Sequence, residues 1–324
     1  MLTAYPRPGA TIPRVTEEAD GLKSALWIDL VNPTPEEIRA VESALGIELP
    51  TRQDAEEIEI SSRLYAENRT LFMIVTVGVG ADTLHPTTTP VTFAYQREHL
   101  VTVRFAEPIP FATFSRKLRK SPLSYPTAQK VLLGIMDEII DRVADVLEGV
   151  ANDLNRVSDL VFSLAGGGPK RHARVDFTEV LARVGLNGLR AANSRESLVS
   201  LSRVLPFFSE ACPASNGEPL DDHWQSVGKD IVSLTDHATF ISSKVNFFLD
   251  ATLGRINIEQ NTIIKLFSVL AVVFLPPTLI ASIYGMNFER MPELRWVAGY
   301  PLSVLLMVVA AILPYLLFKR KGWL

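Results

Sequence analysis

Tyr284-Gly285-Met286-Asn287-Phe288-Glu289-Arg290-Met291-Pro292-Glu293-Leu294 lies between two uncharged apolar runs, and reading it decides the fold. Leu266 to Ile283 gives the first run, of 18 residues, and Val297 to Phe318 the second, of 22. At a rise of about 1.5 Å per residue, each is long enough to cross a hydrocarbon core of about 30 Å as a helix. The 13 residues between them are too few for a domain, so the spans are expected to form a hairpin with a short outer loop. A soluble protein would instead have to bury two long helices, apolar all round, side by side.

Working outward, no proline interrupts the chain from about Asp221 to Pro276-Pro277. A helix of about 60 residues would be about 90 Å long, far more than a bilayer accommodates, so the first span is expected to continue a stalk helix outside the membrane. Gly254 is a weak point in it before the membrane. Pro276-Pro277 removes two backbone donors within the span, which predicts a bend or hinge. After the second span come Lys319, Arg320 and Lys321, which place that end in the cytoplasm by the positive-inside rule. Two spans then put both termini on that side. Met1 to Arg14 contains prolines and no apolar core of a secretory leader. Trp296, Tyr300, Tyr315 and Trp323 are suited to anchoring at the interfaces.

The first 125 or so residues mix strands and helices. Trp27 to Val31, Leu71 to Val79, Pro90 to Tyr95 and Leu100 to Phe105 read as strands, with Gln96-Arg97-Glu98-His99 as a hairpin turn. Thr34-Pro35-Glu36-Glu37 is a helix start with Thr34 as cap, Ile38, Val41 and Leu45 share one face, and Gly46 is the stop. From Pro126 the pattern is helical. Ile139, Val143, Val146, Val150, Leu154, Val157 and Val161 recur at helical spacing up to about Leu164, where Gly166-Gly167-Gly168-Pro169 makes a turn. That glycine run is no phosphate loop, because no strand precedes it and no Gly-Lys-Ser/Thr follows. A second helix is expected from Asp176 to Leu205, ended by Pro206, with Ser209 to Pro219 as a polar linker. The organisation expected is an α/β domain (1–125), long helices (126–220), stalk (221–265), first span (266–284), outer loop (285–296), second span (297–318) and basic tail (319–324).

The net charge of −4 over 324 residues gives no electrostatic footprint for nucleic acid. Cys212 is the single cysteine, which excludes a disulfide framework or a cysteine metal site. His85, His99, His172, His223 and His237 show no paired ligand spacing. No catalytic constellation or nucleotide motif stands out, and no resident cofactor is expected.

Gly285-Met286-Asn287 at the exit of the first span, followed by Met291-Pro292-Glu293-Leu294, resembles the CorA magnesium transporters. Asn257-Ile258-Glu259-Gln260-Asn261, Phe274-Leu275-Pro276-Pro277-Thr278-Leu279 and Phe318-Lys319-Arg320-Lys321 extend the likeness over Val245 to Leu324; Trp27-Ile28-Asp29-Leu30 and the acidic stretch from Asp54 to Ile60 match more loosely. The resemblance implies a homopentameric funnel in a bacterial inner membrane. Its cytoplasmic α+β domain is an α/β/α sandwich, and its stalk helix continues into the pore. It implies potential-driven influx of Mg²⁺, with Co²⁺ and Ni²⁺ as further cargo, gated by intracellular divalent cation.

Gly285, Met286 and Asn287 would then form the selectivity filter. Mg²⁺ gives up its water reluctantly, so a ring of Asn287 amide oxygens suits an ion that keeps its shell. The pore face implied is Thr278, Leu275, Ala271, Phe267, Ile264, Asn261 and Asp250: a polar mouth, an apolar neck closing by dewetting, and a carboxylate ring at the inner exit. Glu289 and Glu293 would gather cations at the entrance, offset by Arg290 and Arg295. Asp221, Asp222, Asp230 and Asp236 on the stalk are candidates for regulatory cation sites. Two alternatives stay open. One is a zinc or other divalent-metal transporter of the same superfamily, whose members carry another residue at the Met286 position. The other is a membrane-anchored sensor without a pore.

Overall fold

The computed structural model describes residues 1–9, 19–162, 176–212, 222–287 and 296–321. The glycine-rich turn at 166–169, the loop residues Glu289, Arg290, Glu293 and Arg295, and Asp221 and Trp323 lie outside the described residues. Two compact units result, Met1–Leu249 and Asp250–Leu324.

The first unit is built on one mixed sheet of six strands: β1 (Leu2–Pro6), β2 (Ala25–Val31), β3 (Leu64–Glu67), β4 (Thr70–Val79), β5 (Thr87–Gln96) and β6 (His99–Arg104), in the order β1-β2-β6-β5-β4-β3. β2 and β6 are parallel, and every other pair is antiparallel. β4 is buried from Thr70 to Val77, as its run of β-branched and apolar residues requires of a strand covered on both faces. β5 and β6 meet at the turn expected between Gln96 and His99.

One face of the sheet packs under α1 (Ala19–Ser24) and α2 (Pro35–Leu45), where Ile28, Leu30, Val41, Ile47 and Phe72 share a core. α2 begins and ends as its sequence dictates. Thr34 Oγ accepts from the Glu37 amide at 3.3 Å, and Glu37 Oε2 accepts from the Thr34 amide at 2.9 Å. Gly46 stops the helix at φ 66°, ψ 39°, a left-handed conformation that favours glycine. Two further helical turns, α3 (Arg52–Ala55) and α4 (Ile60–Arg63), lead to β3.

The other face packs against α5 (Ile109–Lys120), α6 (Ala128–Phe162) and α7 (Phe177–Ala211). Trp27, fully buried, stacks on Tyr5 at 4.3 Å between ring centres and meets Phe114 of α5 edge-on at 5.5 Å. Helices on both faces of a mixed sheet make the α/β/α arrangement expected. A buried ion pair ties the two parallel strands. Arg104 Nη2 reaches Asp29 Oδ2 at 2.8 Å, Thr102 donates to Asp29 Oδ1 at 2.8 Å, and Trp27 Nε1 donates to Thr102 at 2.9 Å. Satisfying the charge on every side is the condition under which such a pair persists in a core.

Pro206 does not end α7. The helix continues through Ser209 to Ala211, and Cys212 closes it, so the start of the linker expected at Ser209 is helical, and 213–219 lie outside the described residues. Packing outweighs the lost hydrogen bond there. Phe208 is fully buried between Tyr95, at 4.9 Å, and Trp224, at 5.0 Å, and Trp224 Nε1 donates to Ser209 Oγ at 3.1 Å. A proline costs a helix about 3 kcal/mol, which the burial of one aromatic side chain offsets.

α8 runs without interruption from Asp222 to Tyr284, 63 residues or about 95 Å. Pro276 and Pro277 lie inside it, and the Thr278 hydroxyl donates to the Phe274 carbonyl at 2.7 Å. α9 spans Gly299–Arg320, with Pro314 inside. The most apolar stretch of α8 is 0 % buried within the chain and that of α9 only 6 %, which removes the soluble alternative of two helices buried in a core.

Candidate functional site

The apolar end of α8 carries the candidate pathway. Thr278, Leu275, Ala271, Phe267, Ile264, Asn261 and Asp250 follow one another at intervals of three, four, four, three, three and eleven residues on this single helix. At about 100° per residue they fall within an arc of about 120°, so they share one face. Every one is exposed in the single chain. Leu275 and Phe267 are each 66 % exposed and Ile264 60 %, so within one chain these large side chains have no core to enter.

Gly285 ends α8. Its amide donates to the Ala281 carbonyl at 2.9 Å, and a Cβ at this position would stand 3.0 Å from that same oxygen. Glycine is the residue that leaves the helix here without crowding its last turn. The Met286 amide donates to the Ile283 carbonyl at 3.3 Å. Asn287 follows, exposed and outside the helix, so the direction of its amide is set by this exit and not by the phase of α8.

Asp222, Asp230 and Asp236 are all exposed on the early part of α8. They are eight and six residues apart, about 12 and 9 Å along the axis, so one chain does not gather them round one ion. Among the described residues, no group of three His, Cys, Asp or Glu stands ready to hold a metal within the chain.

Sequence reasoning set His223 aside, yet its Nε2 lies 2.8 Å from Asp137 Oδ2 of α6. Burial pushes the Asp137 carboxyl above its usual range, and His223 works against that. Lys117 pairs with the buried Glu138 alongside. Partners this far apart in sequence leave no signal of spacing, and only the fold brings them together.

A mixed α+β domain leading into one long helix, with bilayer-length apolar stretches in α8 and α9, defines a two-span membrane protein. The sequence profile described as "CorA-like Mg2+ transporter protein" matches residues 23–320, and the chain belongs to this family. It is 35 % identical over 325 residues to the magnesium transport protein CorA of Escherichia coli K12, covering 100 % of both chains. The CorA of Salmonella typhimurium LT2 is equally similar, at 35 % over the same span. Among solved structures, the complete CorA magnesium transporter of Methanocaldococcus jannaschii shares the fold with a TM-score of 0.73 at 20 % identity, covering 100 % of this chain and 99 % of that one. The full-length CmaX protein gives a TM-score of 0.61 at 17 % identity, with 92 % of this chain and 88 % of that one covered.

Proposed function

We propose that five copies of this chain surround an axis in a bacterial inner membrane and conduct Mg²⁺ into the cell. The single observation that carries this reading is the face of α8 from Thr278 to Asp250, exposed in the isolated chain and apolar at its middle. One helix has no lumen, so such a face needs copies of itself around a shared path. A divalent ion gains about 4.6 kcal/mol on moving down an inside-negative potential of about 100 mV, so influx needs no nucleotide.

Asn287 amide oxygens, with Gly285 and Met286, accept from the waters of a hydrated ion at the mouth. An amide attracts the shell without trapping the charge as a carboxylate would. Leu275, Phe267 and Ile264 narrow the path and close it by excluding water. Thr278, Ala271 and Asn261 line its remainder, and Asp250 offers carboxylates where ions leave. Glu289 and Glu293 concentrate cations at the entrance. Asp222, Asp230 and Asp236, with Asp221, hold intracellular divalent cation between subunits and favour the closed assembly. Co²⁺ and Ni²⁺ are accepted as further cargo, since recognition acts on the shared hexahydrate. The family supports Mg²⁺ over zinc, and Met286 fits that choice.

Uptake of Mg²⁺ by a bacterium deficient in magnesium transport tests the reading. The native chain restores growth at low Mg²⁺, and Asn287→Ala, at equal membrane abundance, abolishes uptake. Undiminished uptake in that variant would exclude Asn287 from selection, and failure of the native chain to restore growth would overturn the reading itself.

A further inference from the structure

Where the turn after β4 meets α6 and α7, the first unit forms a partly open pocket of about 50 Å³. That is room for more than a single water, which needs about 10–15 Å³ by the same measure. Its wall is mostly apolar, and its donors stand in a small group. Arg142 comes from α6, and Arg190, Ser194 and Ser197 come from α7. The turn holds both guanidiniums by their tips: Arg142 Nη2 pairs with Asp82 Oδ2 at 2.5 Å, and Arg190 Nη2 donates to the Thr83 carbonyl at 3.3 Å.

The deeper donors are unmet. Arg190 Nε and Ser197 Oγ are buried without a hydrogen-bond partner, although Ser197 is 0 % exposed and Ser194 only 5 %. Buried donors left unpaired are costly and uncommon, so two of them on one cavity wall point to an acceptor that sits there. Glu107 brings one carboxylate to the same wall. Asp82 is 71 % exposed, so water screens its charge more than it screens Arg190. The polar minority of this lining, guanidinium and hydroxyl donors beside one carboxylate, is the wrong chemistry for Mg²⁺, which takes oxygen acceptors. It is the right chemistry for a tetrahedral oxyanion.

We propose that this cavity binds a small oxyanion of the phosphate class, held by Arg142, Arg190 and Ser197, which bridges the β4–β5 turn to α6 and α7. The site is separate from the ion pathway, and its existence does not depend on what the pathway carries.

The test uses the full chain in detergent at constant ionic strength and constant free Mg²⁺. Inorganic phosphate, sulfate, ATP and chloride are titrated in turn, with calorimetry and thermal unfolding as readouts. Saturable binding of phosphate or sulfate, with a rising unfolding midpoint and no such response to chloride, is the expected result. Saturation by ATP alone would identify the phosphoryl end of a nucleotide as the occupant and still support the site. Arg190→Gln should abolish the response, and Ser197→Ala should weaken it about tenfold, the loss of one charge-assisted hydrogen bond. If Arg190→Gln fails to fold, Arg142→Gln replaces it, since that side chain reaches the surface. No saturable response to any oxyanion would mean that water alone fills the cavity, and the proposal would fall. Binding unaltered by all the substitutions that fold would overturn it equally.

Discussion

Asp153 of α6 receives hydrogen bonds from Arg183 and, at 2.7 Å, from Asn187, both on α7. Burial pushes its carboxyl upward, but those hydrogen bonds outweigh burial and hold it below the usual carboxylate range. A depressed folded value means that the stabilisation is present above the unfolded value, near pH 4, and is lost as pH falls through the folded one. Asp153→Asn is therefore expected to cost about 1–2 kcal/mol at pH 7, or a few degrees in unfolding midpoint, because the site is part-exposed. The gap between variant and native protein should persist at pH 6 and close progressively below about pH 4. A gap independent of pH would show that the charge on Asp153 is irrelevant. This lock is invisible in the sequence, since its partners stand 30 and 34 residues away. The Thr34 cap and the Gly46 stop were legible because each bonds within its own few residues. Pro206 misled for the same reason: the local rule was sound, and Phe208, packed on residues far along the chain, overrode it.

Among the elements, length and apolarity made the two spans and the long α8 readable, because an uncharged apolar run of about 18 residues or more suits a helix that crosses a bilayer. Short elements fared worse. β1 has five residues and β3 four, too few for alternation to declare itself, and both earn their places only by pairing with a neighbour. α5 begins among prolines that suggest a loop, although proline is at home in a first helical turn. The sheet order was beyond sequence reasoning, because the parallel pairing of β2 with β6 joins strands separated by helices and hairpins. For α8 the prediction concerns its apolar face. Replacing Leu275 or Ile264 with Ser places hydroxyls in the neck of the proposed path, stabilises water there and raises leak at high internal Mg²⁺. Flux measured in liposomes with millimolar Mg²⁺ inside decides it, and unchanged flux and inhibition would mean that these side chains face neighbouring helices or lipid.

For the whole molecule, the expected outcome is a pentamer that survives mild detergent, read by native mass measurement; a monomer or dimer would defeat that assembly. In the proposed assembly, carboxylates on adjoining stalks would repel unless cation lay between them, and bound Mg²⁺ would stabilise the packed arrangement by the logarithm of one plus its concentration over its dissociation constant. Protease should therefore attack the cytoplasmic part faster after chelation than at millimolar Mg²⁺. Identical digestion patterns would remove the sensing role from the stalk aspartates and leave the pore untouched. The division of the chain at Leu249 also sets a timetable for biosynthesis. Every strand of the sheet, and both long helices packed on it, have been translated before the 71 residues from Asp250 to Arg320 that hold the spans. At about 5–20 residues per second the ribosome needs roughly 4–14 s for that remainder, while a domain of this kind folds as a unit. Most of the chain can thus take its final form before either span reaches the bilayer, and a substitution that slows the sheet would surface as poor membrane insertion of a sequence it never touches.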